Sequence, residues 1–384
     1  MSREKKAVKK PKIKKKTDYY DYSLLAVIIL LTCFGLVMLY STSSYMAELN
    51  YGDDMYYFKK QAAISLACII AALAISKIDY HILTRFTGVI YGVAAVLMLL
   101  VKTPLGRSAN GARRWLNLGP LSFQPSELAK IAVIVCLSYM IVNMGRKIGT
   151  LKGFMMLAGS GGALAFITYV FTDNLSTAII IFGITIGLIF IAHPKVRPFL
   201  IAAGILLVVA IVAISFLSAT METSSSFRLR RILVWLHPED YASGDGYQTI
   251  QALYAIGSGG FLGRGLGNSI QKLGSVPEAQ NDMIFSIICE ELGLVGASFV
   301  LLLFLILIWR FFVIASHAPD LEGALIASGA MAHMMIQVIL NIAVVTNTIP
   351  NTGITLPFIS YGGTSVMFLL IEMGLVLSVS QVVD

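Results

Sequence analysis

The chain reads as an all-α polytopic membrane protein with ten transmembrane helices, and three observations carry that reading. Of its 384 residues, 57% are hydrophobic and 13% are charged, about half the ~25% charged share of water-facing domains. Apolar runs near the ~20 residues needed to cross a hydrocarbon core recur along the whole length. A basic stretch containing Arg3, Lys5, Lys6, Lys9, Lys10, Lys12, Lys14, Lys15 and Lys16 precedes the first run, and the positive-inside rule places it in the cytoplasm. That run is too long for a signal-peptide core and lacks a small-residue cleavage site, so it reads as a retained span. Residues 1–22 are then a cytoplasmic tail, and 23–384 a single ten-span domain.

The spans fall near 23–41, 61–78, 86–101, 128–143, 154–171, 177–192, 199–217, 283–311, 324–345 and 364–379. An even number brings both termini to the cytoplasmic side. The basic residues Lys77/Arg85, Arg146/Lys147/Lys152 and Lys195/Arg197, with Arg310 at the end of its span, all fall on the side assigned inside. The outer loops are 41–59, 102–127, the largest at 218–281, and 346–363, which is rich in proline and glycine. Most of the net charge of +8 sits in the tail, where it sets topology and attracts anionic headgroups. Nucleic-acid binding is therefore not expected. Cys33, Cys68, Cys136 and Cys289 lie in apolar runs without ligand spacing and read as small core residues.

No Walker phosphate loop, HExxH, CxxC or paired-histidine spacing occurs, which removes the usual nucleotide and metal signatures. The stretch GSGGFLGRGLG from Gly257 follows no strand of a βαβ unit. Beside a membrane, its glycines fit a re-entrant loop packed on protein.

The organising stretch runs from that loop to Glu291. Pro277 leads into the polar cluster Glu278, Gln280, Asn281 and Asp282, which turns abruptly into an apolar run carrying Glu290 and Glu291. A carboxylate at such a boundary sits in a low dielectric and is a functional-site candidate by default. Asp282 is the candidate reactive group. Glu290, about 12 Å deeper at 1.5 Å rise per residue, reads as structural, as do His333 and Glu372 inside their spans.

Other constellations surround it. Gln124-Pro125-Ser126-Glu127-Leu128-Ala129-Lys130 resembles a helix start with Ser126 as cap, and Glu127 and Lys130 share a face. They form either a self-neutralising pair or, with Arg113 and Arg114, a cationic rim for phosphate. Asp173 reads as the cap of the span that follows it. The stretch FRLRRILVW at 227–235 interleaves Arg228, Arg230 and Arg231 with apolar residues, the pattern of an interfacial amphipathic helix and a second candidate for pyrophosphate. Gln248 and Gln251 could bond a sugar or equally serve the loop itself, and Glu278 and Ser360 border the expected cavity. The last outer loop, with Pro350, Pro357, Gly353, Gly362 and Gly363, reads as a stiff cavity wall.

These residues resemble one family, the shape, elongation, division and sporulation (SEDS) proteins typified by FtsW, RodA and SpoVE. The likeness rests on GARRWLNLG at 111–119, QPSELAK at 124–130, and GYQTIQALYAIGSGGFLGRGLGNSIQKL at 246–273. PEAQNDMIFSIICEELG at 277–293 and GITLPFISYGGTS at 353–365 complete it. The resemblance implies ten helices and peptidoglycan glycosyltransferase activity on lipid II beside a class B penicillin-binding protein and other division-complex membrane proteins. It also puts the family's essential aspartate at Asp282 and an important basic position at Lys130. The chain departs from the usual Thr-Asp-Phe at Asn281-Asp282-Met283, and from Gly-Leu at Asn347-Thr348. Its tail and PEAQND variant resemble the FtsW/SpoVE division branch more than the RodA elongation branch.

What the resemblance implies chemically is inverting transfer. Asp282 takes the proton of a sugar hydroxyl as it attacks the lipid-linked donor, and undecaprenyl pyrophosphate departs. Arg113, Arg114, Lys130, Arg228 and Arg231 are candidates to neutralise the diphosphate. No cofactor is required on this scheme, although a divalent cation, Mg or Mn, is an alternative source of that charge. The site is expected on the extracytoplasmic face of the bacterial cell membrane. The competing readings are a lipid II flippase, which predicts a deep ionisable relay and inverted repeats, and a scaffold without chemistry.

Overall fold

In the computed structural model, residues 20–109, 112–118, 121–220, 227–244, 246–273 and 276–381 are described. The lysine-rich tail lies outside them. Among the described residues, eight helices are long and apolar enough to cross a membrane. They are α1 (Tyr22–Tyr51), α2 (Tyr56–Ser76), α5 (Pro125–Met144), α6 (Leu151–Phe171), α7 (Leu175–Ala192), α11 (Ile284–His317), α12 (Leu321–Val345) and α13 (Gly363–Ser380). They cover eight of the expected apolar runs. The other two runs hold shorter apolar helical stretches, α4 (Thr87–Leu100) and the first part of α8 (Arg197–Thr220). The short α3 (Tyr80–Arg85) precedes α4.

Local chemistry sets the helix ends. Asp21 caps α1 by accepting a hydrogen bond from the Leu24 amide at 2.9 Å, and its other oxygen meets the Arg310 guanidinium at 2.5 Å. Two expected caps are corrected. Ser126 lies inside the first turn of α5, whose cap position is Gln124 with Pro125 following. Asn174, not Asp173, caps α7 by accepting from the Thr177 amide at 3.0 Å, while Asp173 pairs with Lys102 at 2.8 Å. A side-chain amide one residue closer to the helix competes better for its free N–H groups.

The most enclosed helices are α12 and α13. α13 packs on α2, where the backbone of Ala72 comes so close to Gly374 that any Cβ there would clash at 2.7 Å. Small residues permit such contact where no hydrophobic force separates helix from lipid.

Two features at one end of the bundle position the site. The first is a three-stranded antiparallel sheet, β1 (Gly106–Ala109), β2 (Ala112–Leu118) and β3 (Leu121–Phe123), in the order β1-β2-β3. The sequence pattern predicts an outer loop here, not a sheet. The second is α10 (Tyr247–Gly259) and the glycine loop after it, which fold back along α11 and pack on it. α11 breaks at Gly293, where φ is 65°. The amides of Leu294 and Val295 donate across that break to the carbonyls of Gly260 and Phe261 at 3.0 and 3.2 Å. The Arg264 and Gly265 amides donate to the carbonyls of Glu290 and Glu291, each at 2.9 Å. The irregular backbone at this break is thereby satisfied by protein.

Candidate active site

Asp282 stands two residues before α11 and is 8% exposed. Its backbone carbonyl accepts from Asn341 Nδ2 at 2.8 Å. Its Oδ1 is buried without a hydrogen-bond partner among the described residues. Burial pushes the carboxyl from its ordinary 3.8 up to about 7, with Glu278 adding repulsion and Arg231 opposing both. A bare carboxylate oxygen that gains and loses a proton near neutrality is what a general base requires.

Arg231 connects this carboxyl to its surroundings. It lies on α9 (Phe227–Leu236), the amphipathic helix expected from the arginine pattern. Its Nη1 donates to the Asn351 carbonyl at 3.1 Å, and Trp235 Nε1 donates to the Asn347 carbonyl at 3.0 Å. Both bonds tie α9 to the last loop. Arg231 also faces Arg114 of β2: burial and the Arg231 charge lower the Arg114 guanidinium, with Asp173 opposing. Arg114 Nη2 donates to the Asp173 carbonyl at 3.3 Å, and its Nε is buried without a partner. The two guanidiniums make a cationic patch that suits an anionic group.

A cavity of about 290 Å³ is lined by Arg231, Trp235, Tyr247, Gln248, Asn347 and Asn351; Asp282 itself is not among the residues that line it. Pro277, from Asp282's own segment, closes one wall. Gln248 Nε2 donates to the Pro277 carbonyl at 3.2 Å and its Oε1 accepts from Asn351 Nδ2 at 3.0 Å. Amides, an aromatic pair and one cation suit a sugar phosphate better than a purely apolar ligand.

The structure thus brings together Asp282, Glu278, Arg231, Arg114 and Gln248. Glu278 is exposed at the rim and accepts from Asn281 Nδ2. Gln251 is half-buried on α10, off the lining of the cavity. Ser360 accepts from the Leu356 amide at 2.8 Å, closing a turn in the last loop. Arg113 projects from β2 into the open and donates to the Lys102 carbonyl at 3.4 Å. The side chain of Arg228 lies outside the described residues.

Lys130 is not on a rim with the arginines. It is 2% exposed, 3.0 Å from Glu127 and 3.1 Å from Gln337 Oε1. Gln337 continues to His333 at 2.9 Å, and His333 to Glu372 at 2.8 Å. Removing one partner of a buried pair strands the other charge. Lys130→Met should therefore destabilise, and Glu127→Gln/Lys130→Met should recover most of the loss. A double-mutant cycle on detergent unfolding should read a coupling of about 1–3 kcal/mol. A double variant as damaged as Lys130→Met alone would refute the pairing role.

Sequence reading missed Asn341, Asn351 and the partnership of Arg114 with Asp173. Asn341 carried a signal, because a polar amide within an apolar span is costly and marks function.

Fold and site define a multi-pass helical membrane protein with a buried carboxyl and paired arginines at one end. The family model described as "Cell cycle protein" (FTSW_RODA_SPOVE) matches residues 21–384, and the chain belongs to this family. Stage V sporulation protein E of Bacillus subtilis is 37% identical over 363 residues, covering 94% of this chain and 97% of that protein. The probable peptidoglycan glycosyltransferase FtsW of Trichlorobacter lovleyi is 36% identical over 370 residues, covering 94% and 93%. Among solved structures, a chain of a peptidoglycan synthase complex that coordinates polymerization and crosslinking superposes with a TM-score of 0.76 at 26% identity, covering 94% of this chain and 97% of that one. The rod shape determining protein RodA of Thermus thermophilus gives a TM-score of 0.67 at 26% identity, covering 94% and 96%.

Proposed function

We propose that this chain is a peptidoglycan glycosyltransferase that polymerises lipid II into glycan strands during septal wall synthesis. It works beside a class B penicillin-binding protein and other membrane proteins of the division complex. The observation that carries the reading is the Asp282 carboxyl, buried with one oxygen bare and under the charge of Arg231, which itself lines a sugar-sized hollow. Relatives named for this activity, and identities of 36–37% to FtsW and SpoVE proteins against 26% to RodA, support the division branch.

In the mechanism, Asp282 takes the proton from the 4-hydroxyl of the acceptor sugar as that oxygen attacks the donor's anomeric carbon. One C–O bond forms and the bond to the diphosphate breaks, so the α-linked donor yields a β-linked product. The departing undecaprenyl pyrophosphate is anionic from the start and needs countercharge more than a proton. Arg231 and Arg114 are placed to supply it, donating to phosphate oxygens where charge accumulates. Among the described residues no three His, Cys, Asp or Glu side chains gather as a ligand set. A divalent cation would be held by Asp282 and the substrate's own phosphates, in the manner of magnesium sites.

The topology belongs to the same reading. The chain crosses ten times with both termini in the cytoplasm, the 218–281 loop lies outside, and residues 23–384 form one domain. The buried chain Glu127–Lys130–Gln337–His333–Glu372 is also what a lipid II flippase with an ionisable relay would need. Its charges occur as opposed pairs, which favours structure over transport. Purified full-length protein with its transpeptidase partner and labelled lipid II, in detergent, should yield polymer, because flipping needs a bilayer and polymerisation does not. No polymer under any partner or cation condition would sink the proposal. Adding chelator should leave activity if the arginines suffice, and abolish it if a cation shares the diphosphate.

A further inference from the structure

We infer that Asn341 is a positioning residue that holds the reactive carboxyl's backbone and the last loop in register. This rests on Asp282 being the base proposed above. Asn341 lies on α12 and is 0% exposed. Its Nδ2 donates to the Asp282 carbonyl at 2.8 Å and to the Ile354 carbonyl at 2.7 Å. Both acceptors are carbonyls, so only the amide nitrogen can face them and the side-chain orientation follows. The amide oxygen is left buried and without a partner among the described residues. An unpaired buried acceptor costs stability, so the residue is retained at a cost that packing alone does not require.

The two tethered carbonyls belong to the two sides of the site. One sits on the residue whose side chain reacts, where the chain enters α11. The other lies next to Gly353, where an added Cβ would come within 3.8 Å of Asp282 Oδ2. One turn earlier on α12, Gln337 Nε2 donates to the Thr355 carbonyl at 3.1 Å. Consecutive carbonyls of the loop therefore rest on two amides four residues apart, on one face of the helix. The loop itself has little regular hydrogen bonding, and Phe358 adopts a φ of 62°. Asn341 ties both carbonyls to α12, and the loop meets the Asp282 segment again where the Tyr361 amide donates to the Gln280 carbonyl at 2.9 Å.

Such a residue acts on transition-state geometry more than on binding, since a displacement of about 1 Å can cost on the order of 10²-fold in rate. The test is steady-state polymerisation by the full-length protein with its transpeptidase partner and labelled lipid II in detergent. Wild type is compared with Asn341→Leu, which removes the donors at similar volume, and Asn341→Asp, which keeps the shape. Both variants should lower kcat by about 10- to 100-fold while KM for lipid II stays within about threefold. Unchanged kcat, or a rise confined to KM, would overturn the inference. So would failure of both variants to fold, which would make Asn341 a determinant of the fold alone. Asp282→Asn in the same assay separates the two claims: activity there defeats the proposed base, whereas a wild-type Asn341→Leu beside an inactive Asp282→Asn defeats only this inference.

Discussion

Asp282→Asn should reduce polymerisation of lipid II by about 10²–10⁴-fold, the range expected when a positioned general base is lost. The substitution is isosteric and leaves the Asn341 bond to the backbone carbonyl in place, so the fold and lipid II binding should survive. The wild-type pH profile adds a second check. A base works only when ionised, and this carboxyl is held at about 7 where an ordinary aspartate sits at 3.8. Below that value the ionised fraction falls tenfold per pH unit, so kcat/KM should rise with pH up to about 7 and then level. An acid limb near 4 would mean that Asp282 is solvated in the working enzyme. An Asp282→Asn variant that still makes glycan would end the assignment.

The largest structural loss should come from Lys272→Met. Lys272 Nζ lies 2.8 Å from Glu291 Oε1 and 3.0 Å from Ser41 Oγ. Glu291 is 0% exposed and Lys272 6%. Ser41 also donates to Glu291 at 2.7 Å, so the three side chains pin the glycine loop to α1 and α11 together. Removing the ammonium leaves a carboxylate with no countercharge, at a cost of roughly 3–5 kcal/mol. That is a large share of the ~5–15 kcal/mol by which folded domains are stable. Unfolding in detergent should shift accordingly, and protease should cut first near Gly263–Gly267. Salt should change little, because a buried pair is poorly screened. Glu291→Gln/Lys272→Met should restore most of the midpoint. If Lys272→Met alone unfolds like wild type, the loop is held by its backbone bonds instead.

What could be read from the chain follows from what each signal measures. Hydropathy reports burial against lipid or protein alike, so the apolar runs placed the long helices, while the end of α1 at Tyr51, capped by Gly52 at a φ of 66°, ran ten residues past the expected 41. The polar-to-apolar boundary singled out Asp282 because a charge there is costly wherever the helix packs. The sheet was invisible because, among the described side chains of β2, only Leu116 is deeply buried, with Arg114 and Trp115 half-buried beside it. Lys130 was legible as the partner of Glu127 by spacing alone, but its depth depended on α12, about 200 residues away in the chain. Asn341 belongs to the same class: its importance lies in two carbonyls from separate segments.

The hairpin of α10 and the glycine loop has a consequence for the lipid around it. Its tip, Phe261 and Leu262, is 68% and 77% exposed and packs at Gly293, eleven residues along from Asp282. At 1.5 Å per residue that is about 16 Å, roughly half of a ~30 Å hydrocarbon layer. On this flank the protein wall therefore rises only from mid-depth to the surface, and below it the side of α11 with Leu302, Leu305 and Trp309 faces outward. Acyl chains can fill the alcove beneath the hairpin, so a long isoprenoid tail lying there would reach the headgroup layer without passing over a full-height barrier.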